Sequence, residues 1–137
     1  MQTLKKFCEV NNIDINKAIS PVFGDVGIIL PRKGTFQGYF AEITDTSLIF
    51  SNQELGVIKK ELPFASFQRA EFGIGSGQLW LQCVVENSPF VFTLTRKGWK
   101  SPAGKLLLQK IGEHTEILDM KEYNGYTGKL FFIYMWK

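Results

Sequence analysis

His114 is the only histidine in the chain, and Glu113 and Glu116 stand beside it. An imidazole with two carboxylates is a conceivable donor set for a divalent metal, and a histidine beside a carboxylate can serve as a base. A catalytic role would need more than these two carboxylates beside it, and its position just past a helical segment is that of a solvated surface histidine. Gly73-Ile74-Gly75-Ser76-Gly77 has the glycine density of a phosphate cradle. A cradle needs a helix N-terminus directly after it to supply amides. Here an alternating strand pattern starts at Gln78, so the run reads as a hairpin. Cys83 alternates with Leu79, Leu81 and Val85 and reads as a small core residue. Spacing leaves a bond between Cys8 and Cys83 open, but two scattered thiols suit a reducing compartment better than a disulfide scaffold. Glu42 shares a strand face with Phe36 and Phe40. It is the one carboxylate predicted on a core face, unless Gly38 shifts the register and turns it outward.

The basic residues cluster in short groups: Arg32 and Lys33, Lys59 and Lys60, then Arg96 and Lys97 with Lys100. All fall at or near predicted strand ends, where hairpins could gather them on one rim. Trp99 lies between Lys97 and Lys100, a pairing suited to an anion-binding or interfacial edge. Each exposed basic residue beside an anionic bilayer contributes about 1 kcal/mol, so four or five give weak, salt-sensitive attachment. The plain alternative is solubilising charge. Trp80 is predicted to point away from the core face of its strand. Residues 130–136, Leu-Phe-Phe-Ile-Tyr-Met-Trp, form an apolar run that needs cover from this domain or another chain. Trp80, Phe131, Ile133 and Trp136 are therefore the interface candidates.

The 137 residues make one domain, with 45% apolar residues and 12 phenylalanines to fill its core. A net charge of +3 permits an anionic partner without requiring one, and no nucleic-acid partner is expected. No N-terminal run is apolar enough for a signal sequence or a membrane span, so the expected location is the cytoplasm.

The elements that must position these residues follow from periodicity. Residues 3–19 recur at helical spacing, with Asn12 able to cap a second short helix, and Ser20-Pro21 ends the segment. Seven strands are expected over 26–95: 26–30, 35–44, 46–51, 57–62, about 66–72, 78–86 and 90–94. Residues 96–100 read as a basic loop. Ser101 is an N-cap, Pro102 suits the first helical position, and Ala103, Leu106, Leu107, Lys110 and Ile111 follow at helical spacing to a cap at Gly112.

Seven meandering strands followed by one helix resemble the pleckstrin-homology-like fold, including its bacterial members and the GRAM domains. The likeness rests on element order, the glycine-separated hairpins and the helix opened by Ser101-Pro102. It implies a mainly β domain: a partly open barrel over residues 22–112, plugged by the helix through Leu106, Leu107 and Ile111. Residues 1–20 would add a helical extension and 113–137 an apolar strand or tail. The family's lipid binders carry basic residues around the first hairpin, where this chain offers Arg32 and Lys33. Many relatives bind protein instead. The resulting expectation is a non-enzymatic binding or scaffolding domain, without metal or cofactor, that contacts protein or a second copy of itself. A peripheral membrane module, a small-ligand carrier with its cavity between sheet and helix, or a β-rich enzyme are the alternatives.

Overall fold

A computed structural model describes residues 3–24, 39–52, 58–75 and 78–118. The predicted strand at 26–30, the turn with Arg32 and Lys33, Phe36, Gly38, and the apolar run with Phe131, Ile133 and Trp136 lie outside the described residues.

The chain is mostly β, folded as two open sheets that face each other. The first sheet contains β1 (Ala18–Ile19), β3 (Tyr39–Ile43), β4 (Ser47–Asn52) and β5 (Ile58–Pro63), in that order. The second is ordered β2 (Val22–Phe23), β8 (Ser88–Thr93), β7 (Gln78–Val85), β6 (Phe67–Gly75), β9 (Ile117–Leu118). Among the described residues no ladder joins the two sheets, and they close no barrel there. The chain crosses between them at Ser20-Pro21, where β1 pairs with β3 and β2 pairs with β8. It crosses again at a 3₁₀ turn, Phe64–Ser66, that follows Pro63.

Alternation accounts for the strands of the second sheet. In β7, Leu79, Leu81, Cys83 and Val85 are buried while Gln78 is exposed and Trp80, Gln82 and Val84 are half-buried. The strand β6 is longer than its pattern suggested, because it slips phase. Phe67 faces inward, but so do Ala70, Phe72 and Ile74. A bulge between Gln68 and Glu71 absorbs the odd residue, with Arg69 in the left-handed region at φ 53°. The β7–β8 hairpin turns in two residues, Glu86 and Asn87, both at positive φ, the geometry that matches strand twist.

Aromatic rings fill the space between the sheets. Phe50 of β4 meets Phe90 of β8 edge-on at 5.7 Å, and Phe90 in turn contacts Phe67 and Phe92.

Among the described residues three helices flank the sheets. The first, α1 (Leu4–Asn11), is capped by the Thr3 hydroxyl, which accepts from Lys6 N–H. It is shorter than the predicted helical segment. Asn12 adopts a left-handed conformation and closes α1 rather than opening a second helix; Asp14 caps a 3₁₀ turn at Ile15–Lys17, and the next two residues are strand. Residues 96–100, predicted as a loop, form a short helix, α2 (Arg96–Lys100), because Thr95 caps it by accepting from Gly98 N–H.

The last helix, α3 (Pro102–Gly112), begins as expected, with Ser101 accepting from Gly104 N–H and Pro102 in the first turn. Its last residue is Gly112, and Glu113 takes the C-cap position. Ala103, Leu107, Leu108 and Ile111 are buried in the inter-sheet core, where Leu106 also packs.

Candidate functional site

Among the described residues the inter-sheet core is apolar and holds no ionisable carboxylate, amine or imidazole; the buried Ser47 and Thr93 alternate with core residues and lie on the outer sides of β4 and β8. Chemistry that needs charge therefore belongs on the outer faces.

The outer face of the first sheet is one such place. Tyr39, Ala41 and Ile43 of β3 face the inter-sheet core, so Phe40 and Glu42 face outward. Glu42 therefore does not lie in the main core. Instead α1 lies over this face. Phe7 stacks on Phe40 at 4.8 Å, and with Cys8 and Ala18 they form a second, smaller core. Between helix and sheet a cleft of about 190 Å³ remains. Phe7, Asn11, Asn12 and Ile13 supply its helix-side wall, and Ile49 and Ser51 of β4 lie beneath.

Glu42 and Lys59 complete the lining from two different strands. Pairing sets Glu42 beside Ile49, and Ser51 beside Lys59, so the two charged residues stand diagonally across β4. Two inter-strand steps and two residues along give a Cα separation of about 12 Å. No ion pair joins Glu42 to Lys59 among the described residues. The side-chain amide of Asn11 donates to Phe7 O at 2.9 Å, which leaves its oxygen as an acceptor at the end of α1.

The thiols respond to these surroundings. Burial first, then the Asp14 and Glu42 carboxylates, raise the Cys8 thiol above its ordinary value, and burial pushes Cys83 up further. Both cysteines are free and buried. A folded-state value above the unfolded one favours the protonated thiol. Its contribution is complete below the ordinary thiol pKa and is lost as pH rises through the folded value. At pH 8 iodoacetamide is expected to leave Cys83 unmodified until the protein unfolds, and to label Cys8 slowly. Rapid labelling of both thiols without denaturant, followed by mass spectrometry, would contradict this burial.

The predicted basic rim does not assemble from the described residues. Lys60 faces the inter-sheet side of the edge strand β5 and meets Glu86 at 3.3 Å, at the end of the second sheet where β7 turns into β8. The helix α2, with Arg96, Lys97 and Lys100, follows the other end of β8. Five strand steps, roughly 17 Å, separate those ends. Lys59 is exposed on the opposite face of β5 from Lys60.

Trp99 departs most from expectation. It is 2% exposed and belongs to the core, so it is not part of an anion-binding edge. Its indole N–H donates to Leu79 O at 3.1 Å, and its ring contacts Phe72 and Phe92 at 5.3 and 5.9 Å. A helical turn puts Lys97 and Lys100 on one side of α2 and Trp99 on the other.

Trp80 is half-buried on the outer face of the second sheet, where a β-carbon at Gly24 would lie 3.2 Å from its ring. The helix α1 covers the other sheet. His114 is exposed beyond α3, and among the described residues no three of His, Cys, Asp and Glu come together to hold a metal. Gly73 and Gly75 lie within β6, and Gly75 pairs with Gln78, as a hairpin requires. No helix among the described residues is long and apolar enough to cross a membrane. No protein-family model matches the sequence, and comparison with curated proteins finds no match.

Proposed function

We propose that the protein is a non-enzymatic binding domain that works through α1 and the outer face of its first sheet, holding a protein partner or a second copy of itself there. One observation carries this reading. The inter-sheet core is saturated with apolar side chains, whereas the α1 layer combines a cleft, charged walls and exposed apolar residues. Val10 on α1 is 60% exposed, and Ile15, on the 3₁₀ turn that follows it, is 46% exposed. Exposed aliphatic residues beside a polar-lined cleft form the pattern of a contact patch with a polar rim. Two antiparallel meanders, β3 to β5 and β6 to β8, followed by α2 and α3, support the pleckstrin-homology-like reading of the frame. Binding functions are common on that frame, which is an argument by analogy.

The expected outcome is that Val10→Asp with Ile15→Asp abolishes capture of a partner, or dissociates a dimer, while circular dichroism and melting stay unchanged. Light scattering reads the self-association, and affinity capture with the wild type and the double variant reads the partner. A partner or dimer retained equally by both proteins would place the contact elsewhere and overturn the reading.

A further inference from the structure

The charges on the cleft wall suggest what the cleft itself accepts. We infer that it binds a small zwitterion, a molecule carrying one ammonium and one carboxylate, with the ammonium at Glu42 and the carboxylate at Lys59. This rests on the reading of the α1 face as a binding surface and gives it a ligand class.

Several features converge. Glu42 is half-buried beneath α1, and Lys59 stands across β4 from it without an ion pair joining the two. Opposite charges that line one cleft without neutralising each other present a fixed dipole, and a ligand with the reverse dipole satisfies both ends at once. The C-terminal end of α1, at Asn11 and Asn12, opens on the same cleft. Its terminal carbonyls carry partial negative charge and add to the preference for a cation in the cleft. On the Lys59 side, the Ser51 hydroxyl is the cross-strand neighbour and can donate to a carboxylate. Between the poles, Phe7, Ile13 and Ile49 offer apolar contact for a short methylene stem. The volume, about 190 Å³, falls below the several hundred Å³ that drug-sized ligands occupy, which sets the scale at a molecule of amino-acid size.

The test uses 4-aminobutyrate against butyrate and butylamine, each lacking one charge, followed by amide NMR shifts on the full chain. Saturable shifts at Glu42, Ser51 and Lys59 are expected with 4-aminobutyrate at millimolar concentrations, and binding about tenfold weaker for either singly charged analogue. Glu42→Gln is expected to remove the advantage over butyrate, and Lys59→Gln the advantage over butylamine. Both positions reach solvent, so neither variant threatens folding, and unchanged thermal melting checks that. Absence of saturable shifts with any of the three, or equal binding of all three, would overturn the ligand class. Wild-type affinity in both variants would overturn the placement. Partner capture lost in the Val10 and Ile15 variant despite such a result would leave the binding surface standing without this ligand. Zwitterion binding without any partner would do the reverse.

Discussion

Trp99→Ala is expected to cost about 4 kcal/mol, the upper range for emptying a large buried site. The indole packs against Phe72 of β6 and Phe92 of β8, so its removal opens a void between two strands and the helix that plugs them. The hydrogen bond is a separate, smaller contribution. Leu79 lies one residue before the point where the β7–β8 ladder starts, at Trp80 and Thr93, so its carbonyl needs other donors. It receives two: the Trp99 indole at 3.1 Å and the Thr93 hydroxyl at 2.6 Å. Trp99→Phe keeps most of the ring and leaves Thr93 in place, so it is expected to cost about 1–2 kcal/mol. Thr93→Val alone leaves the indole. The double variant orphans the carbonyl in the core, and its loss is expected to exceed the sum of the singles by about 1 kcal/mol. Urea titrations of the four proteins measure the cycle. Strict additivity would mean the shared carbonyl finds water or another donor.

Gly104→Ala is the second large effect, expected to destabilise by about 2–3 kcal/mol even though alanine favours helix by about 1 kcal/mol. A β-carbon at Gly104 would lie inside contact distance of Gly98 O and 2.8 Å from Trp99 O. These are backbone atoms of α2 and cannot swing away. They are further held because Ser101 N–H and its hydroxyl both donate to Gly98 O, at 3.2 and 2.6 Å. Relief would require moving α2, and with it Trp99. Gly112 in the same helix is the control. Its β-carbon would meet only Ile117 Cδ1 at 4.0 Å, so Gly112→Ala is expected to be neutral or to stabilise by about 0.5–1 kcal/mol. Equal midpoints for the two variants in urea would show that α2 and α3 are not docked so closely.

Much of the frame was legible in the chain, and the reasons separate cleanly. The β7 alternation and the Ser101-Pro102 start are strong local signals, and both hold in the structure. The strands β1, β2 and β9 have two residues each, too few to show a period, and exist only because distant partners receive them. The β6 bulge leaves one trace in sequence, the slip between Phe67 and Ala70, which a window assuming strict alternation passes over. Read as a loop, 96–100 puts Trp99 among its lysines; as a helix it does not. Helical spacing over the same five residues separates the indole from its lysines. Glu42 shares its strand face with Phe40 in sequence and structure alike, but both faces of β3 are apolar enough to be buried. Nothing local says that α1, some thirty residues earlier, covers the Phe40 side. The cleft was therefore invisible: its lining comes from α1 and its flank, β3, β4 and β5, and only the fold brings them together.

The crossing at Ser20-Pro21 has a consequence for how the chain is made. Val22 finds its strand neighbour at Thr93, seventy-one positions later, while Ile19 joins Ala41. A nascent chain leaving the ribosome can seat Ile19 early but must hold Val22 unzipped until most of the polypeptide has emerged. Contacts so distant in sequence slow the search for the native state. The amino-terminal staple thus closes late in synthesis, and stalled translation before Thr93 would leave Val22 and Phe23 without their strand neighbours.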